Sequence, residues 1–400
     1  MFTIWHSVKN GHWPSLVGAW LHLTVSFMVW LLVGAMSLPL ADSLQLSDSD
    51  ISWLISLPLL GGAVLRVIAG WSADWFGARP TALAILMAEF LLLCWGWLGV
   101  TGYGAVQVFA IGLGVAGASF AVTLPIAGRA YPPATQGLAL GLAASGNIGT
   151  VLILFLAPRW ATAMDWHQIC GIMACIVAAT TVGFILMVPR TPLMPQSQGL
   201  AWWHHAAQVV HRRSAYWLCG LYAITFGGFV GLCSLLPLLL HDVYHIDAIQ
   251  AGTVAALCGL LGSLIRPVGG YVADRHGGMR ALYYVLPAIA GSIVAIVSPS
   301  QATAMLMMLL ATAATGIGNG VVFQLVAEWF PNEIGVASGV VGACGAVGGF
   351  LLPLLAGMTK EMTGSYELGF WLFAGLTVCA WGTVMVGLQT NQSSPSTPHS

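Results

Sequence analysis

Arg66 and Arg266 stand 200 residues apart, each within a long apolar stretch and each eight residues before an aspartate, Asp74 or Asp274. A guanidinium is planar, permanently charged and carries a fork of N–H donors, which suits a flat oxyanion better than lysine would. Eight helical residues set the arginines about 12 Å deeper than the aspartates. That depth strains a snorkelling side chain, and a structural ion pair lacks a partner, because Glu89 is the only carboxylate well inside an apolar run. Charges in hydrocarbon are costly and mark substrate paths. Two cations almost unanswered by protein anions imply a mobile anion between them. With no carboxylate near them in sequence to accept a proton from an acid phosphate, the expected anion is small, flat, monovalent and proton-free.

Two further polar or aromatic sets could reach the same place. Asn147, in LAASGNIGTV, puts an amide among small neighbours, with Gly146 and Gly149 allowing close backbone approach; the alternative is an interhelical hydrogen bond. Tyr222 and Phe226, one turn apart in LYAITFGGFVG, could present a hydroxyl and a ring to one cavity, or could simply pack.

The elements that must position these residues are membrane spans. Apolar runs long enough to cross about 30 Å of hydrocarbon fall at 14–40, 51–73, 81–101, 103–127, 138–158 and 167–188, and again at 215–240, 249–273, 282–298, 302–326, 335–358 and 366–388. These are spans 1 to 12, an all-α membrane protein of two six-helix halves. The expected halves are residues 1–188 and 215–388, with a polar linker at 189–214 and a disordered tail at 389–400. GGAVLRVIAGWSADWFG (61–77) repeats as LGSLIRPVGGYVADRHG (261–277), so spans 2 and 8 are equivalents. Parallel repeats about an axis along the membrane normal place a substrate site at their interface near the midplane. Asp74 and Asp274 close these motifs and read as gating contacts, with Arg79, Arg275 and Arg280 as nearby partners.

Lysines and arginines orient the chain. Eight lie in loops on the side of the termini (Lys9, Arg79, Arg129, Arg190, Arg212, Arg213, Arg275 and Arg280), against Arg159 and Lys360 on the other. Both termini are therefore expected in the cytoplasm. With 58% hydrophobic and only 6% charged residues, against about 25% charged in a soluble domain, the chain cannot cover itself for water. The eight cysteines fall in apolar stretches without metal-ligand spacing and read as core. The N-terminal MFTIWHSVKNGHWPS lacks a cleavage site and reads as a short cytoplasmic tail. No nucleophile, base and orienting group gather at the membrane site, so an enzyme is not expected, and neither linker nor tail suffices for a sensor's signalling domain.

Across almost its whole length the chain resembles the nitrate/nitrite porter family of the major facilitator superfamily. The marks are VSFMVWLLVGA in span 1, the arginine segments of spans 2 and 8, QGLALGLAASGNIG in span 5, LYAITFGGFVG in span 7, GIGNGVVFQLVAEWFP in span 10 and GVVGACGAVGGFLLPLL in span 11. The resemblance implies a nitrate or nitrite held between Arg66 and Arg266, with Asn147, Tyr222 and Phe226 at the family's site positions and Phe120 matching a cavity aromatic of span 4. Gly146 and Gly149, with Gly345, Gly348 and Gly349, fall in its paired glycine signatures; Ala143, Ala144 and Cys344 depart from them and bear on fine selectivity. Spans 5 and 11 are expected to slide on spans 8 and 2 through these glycines.

The compact length and short linker look like the branch that couples nitrate uptake to a proton, rather than the nitrate/nitrite exchangers. His22 and Glu89 are the candidates for proton coupling; a hydrogen-bonded core histidine and an interhelical carboxyl are the alternatives. The expected partners are nitrate or nitrite, a proton and membrane lipid of the inner membrane. No nucleic acid, cofactor or metal is expected, and a single chain is the working unit. Cyanate or formate is the alternative substrate.

Overall fold

The computed structural model describes residues 11–190, 207, 209, 211–330 and 334–393, and every regular element among them is helical. Eleven described helices are long and apolar enough to cross a membrane, from Asp48–Ala73 to Glu367–Leu388. The remaining segment is span 1, which is broken into Trp13–Trp30, Leu32–Ala35 and Ser37–Leu44. Its breaks flank Gly34, a poor helix former that lies against the backbone of Ser234 on span 7. Span 7 runs unbroken over Arg213–Tyr244 and is buried along nearly its whole apolar length.

The 200-residue repeat extends into the loops. Gln45 (φ 50°) and His245 (φ 52°) both end their helices in the left-handed conformation. Ser47 and Asp247 then cap the N-termini of spans 2 and 8 through their side chains. Gly77 (φ 101°) and Gly277 (φ 85°) turn the chain into spans 3 and 9, in a region that favours glycine.

The two halves differ where the arginines sit. Span 2 passes Arg66 as one helix, Asp48–Trp75, whereas span 8 stops at Leu264 and restarts as Arg266–His276. Pro267, with no N–H to donate, stands where span 2 has Val67, and so Arg266 opens a new helix. Spans 4 and 5 also tighten into 3-10 turns, at Gly114–Ala118 and Ser145–Asn147.

Most of the expected linker and the end of the tail lie outside the described residues. The last helix, Glu367–Ser393, continues into the segment expected to be disordered. Asp74 lies in the last turn of span 2, with its side chain outside the described set; Asp274 is exposed. Arg79 donates through its Nε to Val188 O at 2.8 Å, on the end of span 6. Arg275 lies over the Tyr271 ring at 4.7 Å.

Candidate functional site

A cavity of about 870 Å³ lies between the halves, lined by Arg66, Phe120 and Asn147 from one and Ser263, Arg266, Asn319 and Phe323 from the other. It extends to Ala78, Arg129 and Ser338, the side that carries the loop arginines. No carboxylate lines it among the described residues.

Arg66 is 2% exposed and held by backbone carbonyls. Its Nε and Nη2 donate to Gly117 O at 3.1 and 2.8 Å, and its Nη1 to Gly342 O at 2.8 Å. Three of five N–H groups are thus engaged, which leaves one on each terminal nitrogen, the pair that forms a fork toward an anion. Among the described residues Arg266 has no such carbonyl anchor; it interacts with the Tyr222 hydroxyl.

Phe226 stands between the two cations, its ring centre 5.8 Å from Arg66 Cζ and 5.5 Å from Arg266 Cζ. The two charges are therefore no farther apart than those distances laid end to end. Phe120 and Trp30 also approach Arg66, at 5.5 and 5.4 Å, within cation–π range. Tyr222 stacks on Phe226 at 5.0 Å and meets the edge of Phe323 at 5.1 Å. Tyr222 and Phe226 are buried beside the arginines: Tyr222 meets Arg266, and Phe226 meets both.

The glycine signatures require a correction. Gly146 and Gly149, three residues apart on one face, turn to span 1, where a Cβ at Gly149 would strike Thr24 O. Gly345 and Gly348 likewise turn to span 7, against the Tyr222 ring and Ala223 O. These four seat spans 5 and 11 within their own halves; spans 5 and 11 do pack on spans 8 and 2 as expected, but not through these glycines. Gly349 approaches span 2 only at Leu59, at ordinary contact distance. The tight approaches between the halves lie nearer the other end, where Gly252 meets Leu154 O and Gly357 meets Ser52.

His22 and Glu89, considered separately in the sequence, share one buried cluster outside the cavity. The His22 Nε2–H donates to Ala82 O at 3.0 Å, which leaves Nδ1 to accept from the Ser26 hydroxyl at 3.2 Å. Ser26 also adjoins the Glu89 carboxyl.

At the end of the molecule opposite the cavity mouth the halves are joined by ions. Lys360 Nζ lies 2.7 Å from Asp48 and 2.7 Å from Asp242, and the Tyr366 hydroxyl donates to Asp242 at 2.7 Å. Burial, followed by the Asp242 charge, pushes the Tyr366 phenol up, so it remains a donor. Arg159 adds a bond to Thr253 at 2.8 Å.

The sequence reading did not single out Asn319, Ser263, Phe323 or Trp30. For Asn319 the signal was available: an amide between two glycines in mid-span, in GIGNGVVFQ, is the pattern that marked Asn147.

The Major Facilitator Superfamily profile matches residues 19–326. The "Nitrite extrusion protein" of Bacillus subtilis is 29% identical, with 91% of this chain and 92% of that protein covered. The "Probable nitrate/nitrite transporter NarK2" of Mycobacterium tuberculosis is 31% identical, with coverage of 91% and 93%. A solved bacterial homologue of the human lysosomal transporter Spinster, inward-facing and occupied, superposes with a TM-score of 0.72 at 14% identity over 95% of this chain and 98% of that one, a likeness of fold alone. With paired arginine spans, a central cavity and sequence similarity along nearly its whole length, the chain belongs to the nitrate/nitrite porter family of the Major Facilitator Superfamily.

Proposed function

We propose that this chain carries nitrate, and nitrite, across the inner membrane by alternating access, with both termini in the cytoplasm and a single chain as the working unit. The observation that carries the reading is the pair of arginines on matched spans, flanking one aromatic ring at a cavity whose described lining holds no carboxylate. Arg66, Arg266, Asn147 and Phe120 are the proposed anion contacts, with Tyr222 and Phe226 setting the arginines. Residues 1–188 and 215–388 act as the two moving halves, joined by 189–214. The names of the relatives support this choice of anion. The test is uptake of labelled nitrate into proteoliposomes, with counterflow by nitrite, cyanate and formate. Absence of nitrate uptake, or stronger counterflow by cyanate or formate, overturns it.

For nitrate uptake against an inside-negative potential we propose coupling to a proton, with the His22, Ser26 and Glu89 cluster as its route. Exchange of one anion for another is the second reading, favoured by the lack of carboxylates among the cavity's described lining: two cations resist closure when empty and close more readily around an anion. Vesicles without internal anion, under an inside-alkaline gradient, separate the two. Accumulation that collapses with a protonophore supports symport, whereas uptake only with trapped nitrate or nitrite shows exchange. If His22→Gln and Glu89→Gln both still accumulate nitrate, the proton takes another route.

A further inference from the structure

We propose that Asn319 is a further anion-contacting residue and that its amide favours nitrate over nitrite; this rests on the anion-carrier reading above. Asn319 lies on span 10, lines the cavity with both arginines, and is 1% exposed. Neither its amide oxygen nor its amide nitrogen has a hydrogen-bond partner. Buried amides left unpaired are costly, and here the orphan stands in the wall of a compartment that holds two cations.

Its placement is fixed by its neighbours. Gly318 lets span 10 sit against Thr225 of span 7, and Gly320 brings it against the backbone oxygen of Arg266. The amide is thus one residue from the contact with the arginine that lacks carbonyl anchors. Ser263, one turn before Arg266 on span 8, also lines the cavity with an unpartnered hydroxyl. Two hundred residues before Asn319, on span 4, Ser119 is buried and equally unpartnered but not part of the cavity lining. On the Arg66 side carbonyls of Gly117 and Gly342 engage the guanidinium; on the Arg266 side the unmet groups are side chains.

The chemistry follows from counting acceptors. Two oxygens of either anion can take N–H groups from the arginines. Nitrate has a third oxygen to accept from the Asn319 amide, where nitrite offers only the lone pair on its nitrogen, a weaker acceptor. A site built to donate a hydrogen bond discriminates against the ligand that leaves the donor unpaired.

The experiment is counterflow of labelled nitrate from proteoliposomes, with external nitrate or nitrite as competitor, for the native chain, Asn319→Leu and Ser119→Ala. Asn319→Leu is expected to lower apparent nitrate affinity about tenfold and nitrite affinity less than about threefold; Ser119→Ala leaves both unchanged. Equal losses for both anions, or no loss for nitrate, overturn the proposal. Failure of the native chain to show nitrate counterflow would refute the carrier reading instead. Should Asn319→Leu not fold, Asn319→Ser keeps a shorter donor: a reduced nitrate-to-nitrite affinity ratio supports the assignment, and an unchanged ratio overturns it.

Discussion

Arg66 has two tasks that a single charge would not reveal. Its bonds to Gly117 and Gly342 use the planar geometry of guanidinium, and its remaining N–H pair is left for the proposed anion. An ammonium at this position has three donors on one atom and cannot bridge two carbonyls while presenting a flat fork. Arg66→Lys and Arg266→Lys are each expected to lower nitrate uptake by tenfold or more, about 1.5–3 kcal/mol per lost charge-assisted contact. Insertion should remain, judged by monodisperse elution in detergent, and the larger loss is expected for Arg66→Lys. Near-normal uptake by both variants would sink the bidentate arrangement. The arginines were legible in the sequence because a cation in an apolar run is costly and the depth and lack of a partner there weigh against snorkelling and pairing. The carbonyls that hold Arg66, and Trp30 beneath it, were not, because every residue has a carbonyl and only the fold selects Gly117 and Gly342.

Among elements, spans 5 and 11 show how one sequence pattern permits two packings. Glycines three apart announce a close helix contact but do not name the partner helix. The partners are spans 1 and 7, so Gly149→Leu and Gly348→Leu are expected to overpack each half. The expected cost is about 1–3 kcal/mol, read as a lower thermal unfolding midpoint with nitrate uptake falling in proportion to folded protein. Gly357→Leu differs, because Gly357 faces Ser52 across the halves. It should leave folding nearly intact while slowing closure of that end, seen as a lower maximal rate; a pure affinity change with unchanged rate would count against this division. The twelve segments themselves were readable from apolar length, and the repeat from matched letters. The breaks in spans 1 and 8 were not: they arise where Gly34 meets Ser234 and where Pro267 removes a backbone donor.

For the whole molecule, the ions at the closed end and the cavity at the other describe one state. Lys360 bonds Asp48 of one half and Asp242 of its own, a latch across the shut end. Such a partly exposed pair is worth about 1 kcal/mol, enough for about a fivefold shift between two states. Lys360→Met is therefore expected to raise the labelling rate of Ser52→Cys by a membrane-impermeant reagent about fivefold, in a background without the eight native cysteines. Unchanged labelling would show that the latch is ornamental to the transition.

A cavity with two cations and no carboxylate among its described lining also makes the carrier an electrical device. At an effective dielectric of about 20 its two cations repel by at least about 1.5 kcal/mol, but the membrane field acts on them too. Each elementary charge carried through the full field is worth about 2.3 kcal/mol per 100 mV. An inside-negative voltage therefore draws the empty, doubly charged site toward contact with the interior, and a bound anion about halves that pull. The return of the empty carrier becomes the voltage-sensitive step and the loaded crossing the less sensitive one. Currents recorded from a supported membrane should show a transient of positive charge on voltage steps without substrate, reduced by about half at saturating nitrate. Arg266→Gln should shrink the substrate-free transient by about half, and a transient that nitrate leaves unaltered would mean that the charges do not travel with the site.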